Sequence, residues 1–280
     1  MAALTATRRE PVIVRRHSLA VRLTHWVNAL CIAFLVMSGL QIFNAHPSLY
    51  LGKRGAEPDR PILEISGDEA GGKPAGHLRV GPLEIATTGV LGVSREDGGT
   101  SFRAFPSWAT FPSYQDLATG RAWHFFFAWL LVLNGSVYLI SGLVSGHLRR
   151  DLVPDRDQVT PRHLWREIAE HLRLRFSREE MSRRYNALQK MAYLAVVVLL
   201  LPVMVATGLT MSPGMDAAFP FLVELFGGRQ TARTIHFGTA VLLVTFVAVH
   251  LAMVLASGPL NNIRAMVAGW YATSGSGGQR

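Results

Sequence analysis

Two histidines, His236 and His250, stand in the run Ala232 to Leu255 (ARTIHFGTAVLLVTFVAVHLAMVL), whose other residues are overwhelmingly apolar. Imidazole binds metals and carries protons near neutral pH. A run of this length crosses a hydrocarbon core of about 30 Å as a helix, and there a polar side chain is costly without a partner. The step from 236 to 250 turns through about 1400°, about 40° short of four full turns, and rises about 21 Å. Both rings therefore leave one helix face at two depths. That spacing suits two flat macrocycles stacked inside a helical bundle, each bound axially through an imidazole nitrogen. Hydrogen-bonded packing or a proton path is the alternative reading of such histidines.

Whether a macrocycle fits depends on a second pair of imidazoles at matching depths, and so on the elements that carry them. The chain has 280 residues, 49% hydrophobic and 17% charged, with the apolar residues clustered. This composition excludes a pair of soluble domains and points to an all-α membrane protein, a bundle of four transmembrane helices. The spans are expected at 23–43, 123–144, 191–211 and 232–255. Residues 1–22 form a basic N-terminus with Arg8, Arg9, Arg15, Arg16 and Arg22, leading into an uncleaved signal anchor. Residues 44–122 form a long outer loop, and 145–190 a second basic segment. A short outer loop follows at 212–231, with a surface helix and Gly/Ser-rich tail at 256–280. The net charge of +9 sits beside the spans rather than in a basic domain of its own, which sets membrane orientation and not nucleic-acid binding. The single cysteine, Cys31, allows neither an internal disulfide nor a C-x-x-C-H attachment, so any haem is non-covalent, of b type.

Within the outer loop, Leu83 to Val93 is rich in β-branched residues, and Glu96-Asp97-Gly98-Gly99 before Thr100 to Phe105 reads as a β-hairpin turn. Phe105, Trp108, Phe111 and Tyr114 read as interfacial aromatics. A loop of this length is expected to serve a partner. In the second basic segment, Pro161 at a helix start with Leu164, Ile168 and Leu172 on one face marks a helix lying on the membrane surface.

Lys and Arg crowd the N-terminus and the 145–190 segment, so both termini are expected in the cytoplasm. His25 then opens the first span on the cytoplasmic side and His124 the second on the outer side, while the fourth span runs inward past His236 and then His250. Two pairs result: His124 with His236 for an outer haem, His25 with His250 for an inner one. Each iron would be six-coordinate and suited to electron transfer. Arginine precedes three of these histidines by three residues, as Arg22, Arg121 and Arg233. One helix face carries each such pair, so each arginine is a candidate partner of a haem propionate, or else a side chain snorkelling at a span end. Gly39, Gly142 and Gly208 stand in S/T-G-L triplets. Gly39 lies fourteen residues after His25, on nearly its face, where it leaves room for a macrocycle or for close helix packing.

Through R-x-T-H-W (Arg22 to Trp26), G-R-x-W-H (Gly120 to His124) and the His236/His250 pair, the sequence resembles the cytochrome b subunits of nickel-iron hydrogenases, formate dehydrogenases and thiosulfate-reductase-like complexes. The large outer loop and the Gly258 to Tyr271 stretch are most similar to the branch accompanying periplasmic molybdenum oxidoreductases. The formate dehydrogenase subunit has R-Y-N-A-G-Q-K at a menaquinone site, and Arg184 to Lys190 here reads R-Y-N-A-L-Q-K. The resemblance implies Asn186 and Gln189 as quinone contacts, with Leu188 in place of a glycine narrowing or moving that pocket.

These readings lead to a di-haem b-type cytochrome of a prokaryotic cytoplasmic membrane. It is expected to carry electrons between a periplasmic oxidoreductase subunit, of molybdenum-cofactor type, and quinone. Two alternatives stand beside it. One is a self-sufficient haem oxidoreductase acting on a small donor such as superoxide, and the other a haem-free proton-coupled transporter.

Overall fold

The structure is a computed structural model that describes residues 12–15, 17–55, 60–96, 98–146, 148–154, 158–172 and 187–273. In chain order the helices are α1 (Leu19–Asn44), α2 (Leu117–Val144), α3 (Pro161–Leu172), α4 (Ala187–Thr210), α5 (Arg229–Ala256) and α6 (Pro259–Ala268). Two short helical segments, Pro213–Ala218 and Phe221–Leu225, precede α5. The strands are β1 (Val12–Arg15), β2 (Ser48–Leu49), β3 (Leu63–Ala70), β4 (Lys73–Val80), β5 (Leu83–Ala86), β6 (Ser94–Glu96), β7 (Gly99–Ser101) and β8 (Trp270–Thr273).

Four helices, α1, α2, α4 and α5, are long and apolar enough to cross a membrane, and the chain is a mostly helical multi-pass membrane protein. Each outer surface carries large apolar side chains such as Leu133, Val198 and Leu251, as lipid contact requires. The helices outrun the apolar stretches read from sequence: α1 begins at Leu19 rather than Leu23, and α2 at Leu117 rather than Trp123. Hydropathy marks only where lipid demands apolar side chains, whereas helical hydrogen bonding continues until a cap ends it. For α2 the cap is Asp116, whose Oδ1 accepts from the Thr119 amide at 3.1 Å and whose Oδ2 accepts from the Thr119 hydroxyl at 2.7 Å. Those two bonds hold the Asp116 carboxyl below its ordinary range. In α4 the turn Val196–Leu200 widens to π geometry just before Pro202, which has no amide proton to return to the preceding turn.

Two compact units divide the chain, one of Met1–Trp26, Ser136–Leu194 and Phe246–Arg280, the other of Val27–Gly135 and Ala195–Thr245. In the first, β1 pairs antiparallel with β8, tying the two ends of the chain together. Glu167 on α3 is 8% exposed and accepts from the Ala187 and Leu188 amides at 3.3 and 3.0 Å, capping the start of α4. Lys190, also buried, donates to the Val153 carbonyl and to Gln158 Oε1. Trp26 Nε1 donates to the Met266 carbonyl at 3.2 Å, and Arg22 donates to the Val267 carbonyl, so α6 is docked on the start of α1.

In the second unit the loop between α1 and α2 is a folded cap. Strands β2, β3, β4 and β5 form one antiparallel sheet in that order, and β6 pairs with β7 across Glu96↔Gly99 as a separate hairpin. The sheet is amphipathic: Leu63 and Ile65 face Val80 and Leu78 on one side, and Glu64 faces Arg79 on the other. Its apolar side packs with Phe43, Leu49, Ala104 and Phe105 into the core of this unit. Three polar residues one turn apart on α1, namely Ser38, Gln41 and Asn44, face inward, and the last two anchor the cap. Asn44 exchanges two hydrogen bonds with the Phe105 backbone, at 2.7 and 3.1 Å. Gln41, 1% exposed, donates to the Tyr114 carbonyl and accepts from Arg103 at 2.8 Å. Arg103 also donates to Thr110 Oγ1 and the Ser113 carbonyl, with the Glu96 carboxylate 3.9 Å away. Burial works to raise the Glu96 carboxyl, but bonds from the Ser107 amide, Ser94 and Ser107 and the charge of Arg103 outweigh it and hold it below its ordinary range.

Candidate functional site: paired imidazoles

Each unit contains one pair of histidines from the four expected as ligands. In the second unit the His124 and His236 ring centroids are 6.3 Å apart with their planes at 60°. In the first, His25 and His250 are also 6.3 Å apart, at 58°. Two imidazoles in direct hydrogen bond, with nitrogens about 3 Å apart and each about 1.1 Å from its ring centre given bonds of about 1.33 Å, would put the centroids about 5 Å apart. A shared ion with metal–nitrogen bonds of about 2 Å puts them about 6.2 Å apart. Both pairs match the second figure.

The donor set narrows what sits between them. Among the described residues no group of three or more His, Cys, Asp or Glu comes together, so neither pair is completed into the four-ligand cage that a bare zinc ion takes. Two neutral axial imidazoles suffice when a macrocycle supplies the other four ligands. The residues present therefore fit haem.

The surroundings of the His124/His236 pair are built from the preceding helix in each case. His124 on α2 lies 3.0 Å, Nδ1 to Oγ, from Ser38 on α1. His236 on α5 lies 3.0 Å, Nδ1 to Oγ1, from Thr207 on α4. The glycine after each hydroxyl residue leaves room beside the ring for a methyl group and no more. A Cβ at Gly39 would stand 3.5 Å from His124 Cε1, and one at Gly208 would stand 3.4 Å from His236 Cε1. Gly39, singled out from the sequence as room for a macrocycle, lies against the His124 ring. In the first unit His25 packs edge-on to Trp26, and Phe246 stacks on His250. The Nδ1 of His25 is buried without a hydrogen-bond partner.

The three arginines are placed differently. Arg121 is exposed, its guanidinium 5.8 Å from the Phe125 ring centre. Arg233 donates to the Ser48 carbonyl at 3.0 Å and to the His46 carbonyl, clamping the cap to α5, and lies over Phe43. Thr234 and Thr231 reinforce that clamp through the Tyr50 carbonyl and the Gly52 amide. Burial and the Arg233 charge push the His46 imidazole below its ordinary value, against a bond with the Gly55 backbone. Arg22 keeps a buried Nε without a partner beside its bond to Val267. Of the quinone candidates, Gln189 lies in the first turn of α4, and Asn186 lies outside the described residues.

Ser38, Thr207, Gln41, Asn44 and Arg103 were not singled out as functional from the sequence. The signal for the first two was present in the S/T-G-L triplets, read there for the glycine and not for the hydroxyl. Nothing in one sequence marks Arg103 and Gln41 as partners, since 61 other residues separate them.

The putative protein-methionine-sulfoxide reductase subunit YedZ1 of Azospira oryzae is 30% identical over 234 residues, covering 84% of this chain and 87% of that protein. No solved structure matches. The family description "prokaryotic cytochrome b561" matches residues 16–269, from ahead of the first span to the residue after α6, and the chain therefore belongs to that family of haem b membrane proteins.

Proposed function

We propose that this chain is a membrane di-haem b-type cytochrome that passes electrons between an oxidoreductase partner on the periplasmic side and the quinone pool. The observation that carries this reading is the repeated 6.3 Å separation of two imidazole pairs, one in each unit. His124 and His236 hold the outer haem, and His25 and His250 the inner one. When bound, haem supplies reversible one-electron exchange, and the chain supplies binding, orientation and electrostatics. The imidazoles would hold the haem iron, the apolar spans exclude water, and the Arg22 Nε and the exposed Arg121 guanidinium are available to carboxylate groups. Both termini lie in the cytoplasm of a prokaryotic inner membrane, in keeping with the clustering of Lys and Arg.

The folded cap between α1 and α2 is the partner's landing surface. It is strapped to α1 through Gln41 and Asn44 and to α5 through Arg233, so a partner resting on it meets a rigid surface over the helices that carry His124 and His236. Trp108, 80% exposed, and Tyr114 present aromatic surface there. The Azospira relative is described as a reductase subunit, which supports an oxidoreductase partner, and the resemblance drawn from the sequence implies a molybdenum-cofactor enzyme. Gln189, in the first turn of α4, and Asn186 are the quinone contacts that the resemblance implies.

The test is haem stoichiometry and the reduced-minus-oxidised spectrum of the purified chain. Wild type should give two b-type haems, with His236→Ala losing the outer and His250→Ala the inner, each variant keeping one. Quinol should reduce the remainder only where the inner haem is retained. A preparation with no b-type spectrum would overturn the reading in favour of a haem-free transporter. Superoxide oxidation by the isolated chain, with no effect of quinol, would favour a self-sufficient oxidoreductase.

A further inference from the structure

Two hydroxyl side chains address the ligand rings in the same way from two different helices. Ser38 Oγ donates to the Phe34 carbonyl at 2.6 Å, and Thr207 Oγ1 donates to the Val203 carbonyl at 2.7 Å. A hydroxyl has one proton, so toward the imidazole 3.0 Å away each oxygen acts as an acceptor. The ring nitrogen facing it, Nδ1 of His124 or His236, then carries hydrogen. The lone pair is left on Nε2 in both rings. In the other pair, His25 Nδ1 is buried with nothing to bond.

We propose that Ser38 and Thr207 are positioning residues that lock His124 and His236 in the Nδ1–H tautomer and make them stronger electron donors to iron than His25, whose Nδ1 has no partner. This rests on the reading that the four histidines hold haem. The physical reason is that an acceptor on the distal N–H raises the basicity of a ligating imidazole and fixes its rotation. Stronger donation favours the oxidised iron, so the haem held by His124 and His236 has the lower midpoint potential of the two. The S/T-G dipeptide is the unit of construction. The hydroxyl accepts the Nδ1–H hydrogen bond, and Gly39 or Gly208 keeps any larger side chain away from the ring edge.

The experiment uses the full chain in detergent with its haems bound. Redox titration with low-temperature EPR tracks wild type, Ser38→Ala, Thr207→Ala, and the conservative Ser38→Thr and Thr207→Ser. Loss of one hydroxyl is expected to tilt the oxidised-to-reduced ratio of one haem about tenfold toward reduced, equivalent to about 59 mV for one electron. The other haem should stay put, and the conservative variants should restore the wild-type value. In parallel, nitrogen NMR of the haem-free, histidine-labelled chain reads the tautomer directly, with the signal assigned by His124→Gln, and Ser38→Ala should reduce the Nδ1–H population. Unchanged potentials with an unchanged tautomer would overturn the proposal. A wild-type chain without haem would overturn the cytochrome reading instead, while the NMR arm still decides the lock. If one alanine variant fails to fold, the other helix supplies the same test.

Discussion

Enlarging Gly39 tests the proposed di-haem reading, with His124 and His236 as ligands, most directly. A methyl added there would sit 3.5 Å from His124 Cε1, which is ordinary contact, so Gly39→Ala should retain both haems. Valine adds branches about 1.5 Å beyond that carbon, and its χ1 is nearly fixed in a helix. A branch directed at the ring would come to about 2 Å from Cε1, so the imidazole must rotate away from Ser38 or α1 must move off α2. Overpacking of this kind costs about 1–3 kcal/mol, which is about 5- to 150-fold in haem affinity if it falls on the bound state alone. Gly208→Val acts on His236 from 3.4 Å by the same reasoning. Gly135→Val on α2 is the control, because nothing lies within 4 Å of a side chain there. Pyridine haemochrome assays with spectral resolution of the two haems should show Gly39→Val and Gly208→Val losing the same haem, with Gly39→Ala and Gly135→Val unaffected. Retention of both haems at wild-type affinity by both valine variants at Gly39 and Gly208 would refute the idea that these glycines seat the ligands.

Further outcomes bear on the cap. Arg103→Leu removes the cation from a site where its side chain is 8% exposed, leaving Gln41 Oε1 without its donor and the Glu96 carboxylate without its counter-charge; a destabilisation of about 3 kcal/mol is expected, read as faster limited proteolysis between Leu91 and Tyr114. Glu96 has a folded pKa below its unfolded value, so the unfolded chain binds more protons and the stabilisation is complete above about pH 4.3 and lost as pH falls through the folded value. Glu96→Gln should therefore flatten the acid limb of a proteolysis-versus-pH curve, and an unaltered limb would remove Glu96 from the account. For His46 the folded value is likewise depressed, so the clamp under it weakens as pH drops below about 6.5, and His46→Gln should abolish that dependence.

The four spans were legible because lipid imposes one strong, local rule, a run of apolar side chains long enough to cross, and the runs in α1, α2, α4 and α5 obey it. The hairpin at Glu96↔Gly99 was legible for a similar reason, its turn residues lying next to one another. The larger sheet was not read from the sequence. Its strands β3 and β4 carry Gly67, Gly76 and Pro74, which weaken a strand pattern, and the glycines are there because Gly92 and Leu91 carbonyls cross the sheet 2.3 Å from where a Cβ would be. That fit belongs to the folded cap and has no trace in local pattern.

The histidines show the same division more sharply. Their number, their place in apolar runs and the spacing of His236 from His250 were sequence properties, because a helix converts residue count into angle and height by a fixed rule. Which hydroxyl addresses which ring, and that Arg233 and Arg22 commit donors to backbone carbonyls, depended on how separate helices meet. Periodicity along one helix says nothing about the rotation of its neighbour. Only packing brings Ser38 to His124 and Thr207 to His236, and the proposed tautomer of each ring rests on that contact.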